Sequence, residues 1–233
     1  MAMDRMMKPS CPTTSDPYGG DYKQGLHVTG SDRIGGGGFT IAGDRIEAAT
    51  MITAAATTGG TIHLNGIMVS DLPQGLTHVL QEAGIMLGDD FNAGVRAVPH
   101  GPLRAVTAAT GPHPGLPTDT APQLAAMLTQ AHGTSLISER VYPRRDTHVT
   151  GLRAFGADIS STGPTIHVRG PVRLTAAQVE AADIRAVTAL LIAALAAEGT
   201  STIRGVYHLR RGYGRLLANL VALGADITTD AEA

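Results

Sequence analysis

The sequence predicts an α/β domain built from three related units, with helices inside and sheets outside. One pattern carries the prediction by occurring three times: an Asp, an Ala-rich amphipathic stretch, a small-residue stop and a β-like run, starting at Asp44, Asp119 and Asp183. A second helical pattern closed by Gly follows each copy. The starts lie 75 and 64 residues apart, too long for a solenoid repeat and suited to a closed, pseudo-threefold domain.

In chain order, residues 1–25 are rich in Met, Pro, Ser, Thr, Gly and Asp without a hydrophobic period, and read as a flexible N-terminal segment. The domain is expected over 26–233. Leu26-His-Val28-Thr-Gly30 and Gly38-Phe39-Thr-Ile41 alternate on either side of a glycine cluster and read as two strands joined by a tight turn. That cluster lacks the Gly-Lys-Ser/Thr ending of a phosphate loop and leads into strand residues instead of a helix. In the first unit the helix from Asp44 stops at Gly59-Gly60-Thr61, enters the strand Ile62-His-Leu64 and is followed by a helix from Leu76 to Gly84. The second unit runs from Asp119 to Gln130, stops at His132-Gly133-Thr134, enters Leu136-Ile137, and has its second helix around Val149–Leu152 before Gly156-Ala157-Asp158-Ile159. The third runs from Asp183 through Leu195, stops at Glu198-Gly199-Thr200, enters Thr202-Ile203, and its helix from Leu216 ends at Gly224-Ala225-Asp226-Ile227, where a further strand is expected.

Composition removes several classes of function. With 43% hydrophobic and 16% charged residues the chain is neither disordered nor membrane-spanning, because its apolar runs break well short of the ~20 residues a bilayer requires. A net charge of −2, with eight aromatics (five Tyr, three Phe) that never interleave with a basic run, argues against nucleic acid as a partner. Cys11 is the single cysteine, so an internal disulfide and a Cys-based zinc site are excluded. No His-x-x-x-His, paired-carboxylate or Cys spacing suggests any other metal site, and no cofactor is expected. The opening residues lack the apolar stretch of a secretory signal, which points to a cytoplasmic protein.

Five ordered segments resemble the C-terminal half of the UDP-N-acetylglucosamine enolpyruvyltransferase (1-carboxyvinyltransferase) family: Asp44-Arg-Ile-Glu-Ala-Ala-Thr, Pro114-Gly-Leu-Pro-Thr-Asp119-Thr-Ala-Pro-Gln123, Val141-Tyr-Pro-Arg-Arg145-Asp-Thr-His148, Ala182-Asp183-Ile-Arg185-Ala and Tyr207-His-Leu-Arg-Arg211-Gly-Tyr213. They cover roughly residues 26–228. The resemblance implies one lobe of a two-lobed fold, an inside-out α/β barrel of three βαβαββ repeats. No counterpart of the other lobe, with its mobile loop bearing a reactive cysteine, is expected here; Cys11 lacks that loop's wording, and a lone Cys in a flexible segment ordinarily lacks an environment that lowers its pKa.

The resemblance further implies transfer of the enolpyruvyl group of phosphoenolpyruvate to the 3-hydroxyl of a UDP-sugar, a reaction that needs a base, a cationic clamp for carboxylate and phosphate, and a proton for C3. Asp119 would be the base. Helix capping alone accounts for an Asp at each repeat start, and only the surrounding Pro-Thr-Asp-x-x-x-Gln match favours catalysis at Asp119. Asp183 is read as a second carboxylate near the reacting centre, Asp44 mainly as a cap. Arg145, Arg185 and Arg211 fall at the clamp positions, where planar guanidinium suits bidentate grip of an anion, and Val141 at a position lining the uracil pocket. Asp146-Thr147 replaces an aromatic and apolar pair, a change expected to loosen Arg145, and Arg210 adds positive charge beside the clamp. His148 and His208 fit ligand orientation or core roles equally. A rival function is a catalytically silent or helper subunit that pairs with a separate lobe or forms a homo-oligomer.

Overall fold

Three helices that are apolar on nearly every face have to lie inside, and they do. The computed structural model describes residues 29–30, 36–38, 40–90 and 94–229, and from Ala42 onward they belong to one unit. Helix α1 (Arg45–Thr57) is buried from Ala48 to Ala54, and the first helix of the second unit, α3 (Ala121–Leu128), along its whole length. Its counterpart in the third unit, α5 (Ile184–Ala196), is buried from Ala186 to Ala193. All three pack on one another. Small Ala side chains permit that close approach, and the buried Thr hydroxyls of α1 bond within the helix, Thr53 Oγ1 donating to the Ala49 carbonyl (2.8 Å) and Thr57 Oγ1 to that of Thr53 (2.6 Å), so these hydroxyls are not orphaned.

Around this centre, β1 (Ile62–Asn65), α2 (Gln74–Glu82), β2 (Ile85–Asp90) and β3 (Gly94–Pro99) complete the first unit, with an antiparallel sheet in the order β1-β3-β2. In the second unit β5 (Gly133–Ser138), α4 (Thr147–Ala154), β6 (Asp158–Thr162) and β7 (Thr165–Gly170) repeat that order as β5-β7-β6, and β4 (Thr107–Ala109) adds in parallel to β5. The third unit has β8 (Gln178–Glu180) parallel to β9 (Thr202–Arg204) and a second helix α6 (Leu216–Ala222). The alternation of helix and strand is that of an α/β fold.

Two sequence expectations need correction. No strand forms at Gly38, Thr40 or Ile41, the described positions of the 38–41 run, and Ile41 is exposed. The strand expected after Gly224 is likewise absent over 225–229. In the second unit the matching segment, β6, pairs with β7, whereas among the described residues the third unit has no strand in that place; an extended segment without a ladder partner leaves its backbone groups to water. The flexible segment expected over 1–25, the boundary at residue 26, Cys11 and the 26–28 run lie outside the described residues. Among the described residues no helix is long and apolar enough to cross a membrane.

Gly205 links β9 to the 3-10 turn Val206–Arg211 with φ of +77°, and a Cβ there would stand 2.6 Å from the Ala181 carbonyl oxygen. Gly205→Ala combines left-handed strain with a backbone clash, so a stability loss of about 2 kcal/mol or more is expected in urea unfolding. An unchanged midpoint would show that this turn relaxes freely.

Candidate functional site

The three repeat-start aspartates divide into two caps and one exception. Asp44 accepts from the backbone N–H groups of Ile46 (2.7 Å) and Glu47 (3.3 Å) and caps α1. Asp183 Oδ1 accepts from those of Arg185 and Ala186, both 2.8 Å, and caps α5, while its Oδ2 accepts from Thr147 Oγ1 at 2.6 Å. Asp119 caps nothing. It lies inside a 3-10 turn, Thr118–Thr120, that precedes α3, and Pro122 in the first turn of that helix removes a backbone donor in any case.

Its carboxylate instead meets two guanidinium groups. Arg145 Nη1 stands 2.8 Å from Asp119 Oδ1 and Arg185 Nη2 stands 2.9 Å from Oδ2, with arginine side chains only 19% and 18% exposed. The structure thus gathers three of the residues singled out in the sequence, drawn from the 3-10 turn, the loop ahead of α4 and the first turn of α5. Arg145 also lies over the Tyr142 ring, 5.2 Å from its centroid, so it is anchored despite Asp146-Thr147. Those two residues have other partners: Thr147 holds Asp183, and Asp146 Oδ2 accepts from Ser161 Oγ at 3.2 Å.

Behind the pair, Arg185 Nη1 donates to the Tyr213 hydroxyl at 3.0 Å. Thr50 Oγ1 gives its own proton to the Ile46 carbonyl (2.9 Å), so at 3.0 Å from Tyr213 it must accept the phenolic proton. Gln123 Nε2 reaches both hydroxyls, at 3.3 and 3.4 Å. Side chains from the second turn of α1 and the first turns of α3 and α5 therefore converge on one phenol. Sequence reading noted Tyr213 and Gln123 only as motif letters and did not give them this role. For Gln123 the signal is a polar residue in an otherwise apolar buried stretch; Tyr213 stands among exposed glycines and arginines and has no such signal.

His148, at the start of α4, is fully buried, and neither ring nitrogen has a hydrogen-bond partner. Burial pushes its pKa down to about 4, against the opposing pull of Asp183 and Asp146 and with a small push from Arg145. Burial also acts to raise the Asp183 pKa, but the Thr147 hydroxyl, the two backbone N–H groups and the Arg145 charge together hold it below the ordinary carboxylate value. Arg211 is exposed in the 206–211 turn and joins no ion pair among the described residues, and Val141 is 48% exposed beside Tyr142. A cavity of about 580 Å³ lies apart from Asp119, lined by residues of α1, β1 and α6 and by their flanks, including Asp44, Glu47, Met51 and Leu223. No group of three or more His, Cys, Asp or Glu among the described residues is placed to hold a metal ion.

In this α/β frame a carboxylate is thus held between two largely buried guanidiniums, beside a buried phenol reached from three helices. Residues 19–220 match the family model of EPSP synthase (3-phosphoshikimate 1-carboxyvinyltransferase), and the chain belongs to that family. Within it the similarity is to proteins named UDP-N-acetylglucosamine 1-carboxyvinyltransferase: one from Novosphingobium aromaticivorans is 42% identical over 202 residues, which is 87% of this chain and 47% of that protein, and one from Zymomonas mobilis is 43% identical over the same shares. The chain spans about half the length of the curated relatives it matches. The solved enolpyruvyl transferase NikO from Streptomyces tendae matches with a TM-score of 0.74 and 32% identity over 82% of this chain and 45% of that one. EPSP synthase from Acinetobacter baumannii, at 21% identity and a TM-score of 0.61, shares the fold.

Proposed function

We propose that this chain is a substrate-handling lobe for enolpyruvyl transfer from phosphoenolpyruvate to the 3-hydroxyl of a UDP-sugar, as in peptidoglycan synthesis. The observation that carries the proposal is the convergence of Arg145 and Arg185 on Asp119. In this scheme the donor's carboxylate and phosphate take over the two arginines, helped by Arg211, and Asp119 is released to accept the proton of the acceptor hydroxyl. The hydroxyl oxygen bonds to C2 while C3 gains a proton; loss of a proton from C3 and departure of phosphate then restore the double bond. Asp183 stands as the second carboxylate of the centre and Val141 as a wall for the nucleotide base. The names of the relatives support these substrates.

The same proposal takes the three units as pseudo-threefold βαβαββ repeats of an inside-out barrel, supported by the mutual packing of α1, α3 and α5. It includes a second lobe, separate or from another copy, that closes the cleft. A cytoplasmic setting belongs to it as well, because both substrates are charged molecules that do not cross a bilayer unaided.

Titration calorimetry tests the clamp. Phosphoenolpyruvate is expected to bind the lone chain with a Kd of about a millimolar, since an open cleft leaves the contacts screened, and Arg185→Ala or Arg211→Ala to abolish binding. Binding indifferent to both substitutions would favour the helper-subunit reading. Phosphate release on adding a UDP-sugar and a candidate second lobe then distinguishes an active pair from a silent one.

A further inference from the structure

We propose that Glu139 is a positioning residue that holds the Asp119 turn and the Arg145 loop in the register that lets them pair. Glu139 directly follows β5, is 2% exposed, and touches neither Asp119 nor Arg145 in any recorded bond. Its carboxylate spans three separate pieces of chain. Oε2 accepts from the hydroxyl of Thr118, the residue next to Asp119, at 2.7 Å. Oε1 accepts from the hydroxyl of Thr110, just past the end of β4, and at 3.4 Å from the backbone N–H groups of Val141 and Tyr142. Thr110 Oγ1 in turn accepts from the backbone N–H of Arg140 at 2.9 Å. The loop continues to Arg145, whose own N–H donates to the Tyr142 carbonyl at 3.0 Å. One buried charge thus sits between the turn bearing the carboxylate and the loop bearing its cation, with no sequence-local contact to do the same.

A carboxylate suits this task because it only accepts, and every group around it donates. A glutamine would turn an N–H₂ toward the Thr118 hydroxyl or toward the Val141 and Tyr142 amides, opposing donor to donor. The functional meaning rests on the proposed clamp, but the positioning can be read without it.

The test is a double-mutant cycle in urea over Asp119→Asn and Arg145→Gln, run in the full chain and again with Thr118→Val, Thr118→Ser and Glu139→Gln. In the unmodified background the pair is expected to couple by about five- to tenfold in the unfolding constant. Thr118→Val keeps the side-chain shape and removes the hydroxyl, and should bring the coupling to within about twofold of unity; Thr118→Ser restores the hydroxyl and should restore the coupling. A purely structural role would lower the stability of every corner of the cycle alike and leave the coupling unchanged, and that result overturns the proposal, as does absence of coupling in the unmodified chain. Should Glu139→Gln not fold, the two Thr118 variants decide alone. Failure of phosphoenolpyruvate to bind would count against the clamp and leave this cycle readable.

Discussion

Asp119→Asn is expected to raise the chain's affinity for inorganic phosphate and phosphoenolpyruvate by about tenfold while lowering its folding stability by about 2 kcal/mol. The carboxylate is the present partner of both Arg145 and Arg185, at 2.8 and 2.9 Å, so any incoming anion has to compete with it. Removing one member of a buried ion pair costs about 3–5 kcal/mol. Asp119 is 36% exposed, and water screens the two cations left behind, which brings the cost below that range, to about 2 kcal/mol. The two freed guanidiniums then grip the ligand without first losing a partner. Reading base and clamp as separate parts, as the sequence invites, leads to the opposite expectation that anion binding stays constant. Calorimetry with phosphate, beside urea unfolding with and without it, separates the two: equal or weaker binding by the variant would mean that Asp119 and the anion do not share the arginines.

The second large effect concerns pH. His148 has an ordinary value of 6.5 and is held near 4 in the folded chain, chiefly by burial. The unfolded chain therefore binds the proton more readily between those values, so stability rises with pH across that window. The neutral imidazole imposes no penalty above pH 6.5; the loss grows as pH falls and reaches roughly 3 kcal/mol near pH 4. Asp183 acts in a different window. Its depressed pKa contributes stability that is complete above the ordinary carboxylate value of 3.8 and fades only below it. His148→Leu should flatten the stability profile between pH 4 and 6.5, with little change at pH 7.5 because neither ring nitrogen loses a hydrogen bond. A profile as steep in the variant as in the parent would assign the acid sensitivity elsewhere.

What the sequence made legible was mostly local. An Ala-rich run between an Asp and a Gly stop locates α1 and α5 within a residue or two, and both of their aspartates cap as that spacing suggests. Asp119 has the same place in the pattern, and repetition alone cannot tell it from the other two; the difference lies in a 3-10 turn and in two arginines that follow at sequence distances of 26 and 66 residues. Family wording marked both arginines. Non-local pairing accounts for the misses. The 225–229 run repeats the wording that opens β6, yet forming a strand depends on a pairing partner, which β6 has in β7. The Glu139 network draws on three stretches of chain and the Tyr213 network on four, so no single window of sequence contains either.

The division between capping and non-capping aspartates sets how freely each carboxylate can turn. Asp183 is tied by two backbone amides and a hydroxyl, and rotating its χ1 would uncap α5. Asp119 is tied only to side chains, and α3 has no side-chain cap at its N-cap Thr120, so a change of rotamer at Asp119 leaves every backbone hydrogen bond of that helix intact. Two carboxylates of the same chemistry thus differ in torsional freedom: one is a fixed wall, and the other can change rotamer without unwinding the helix behind it.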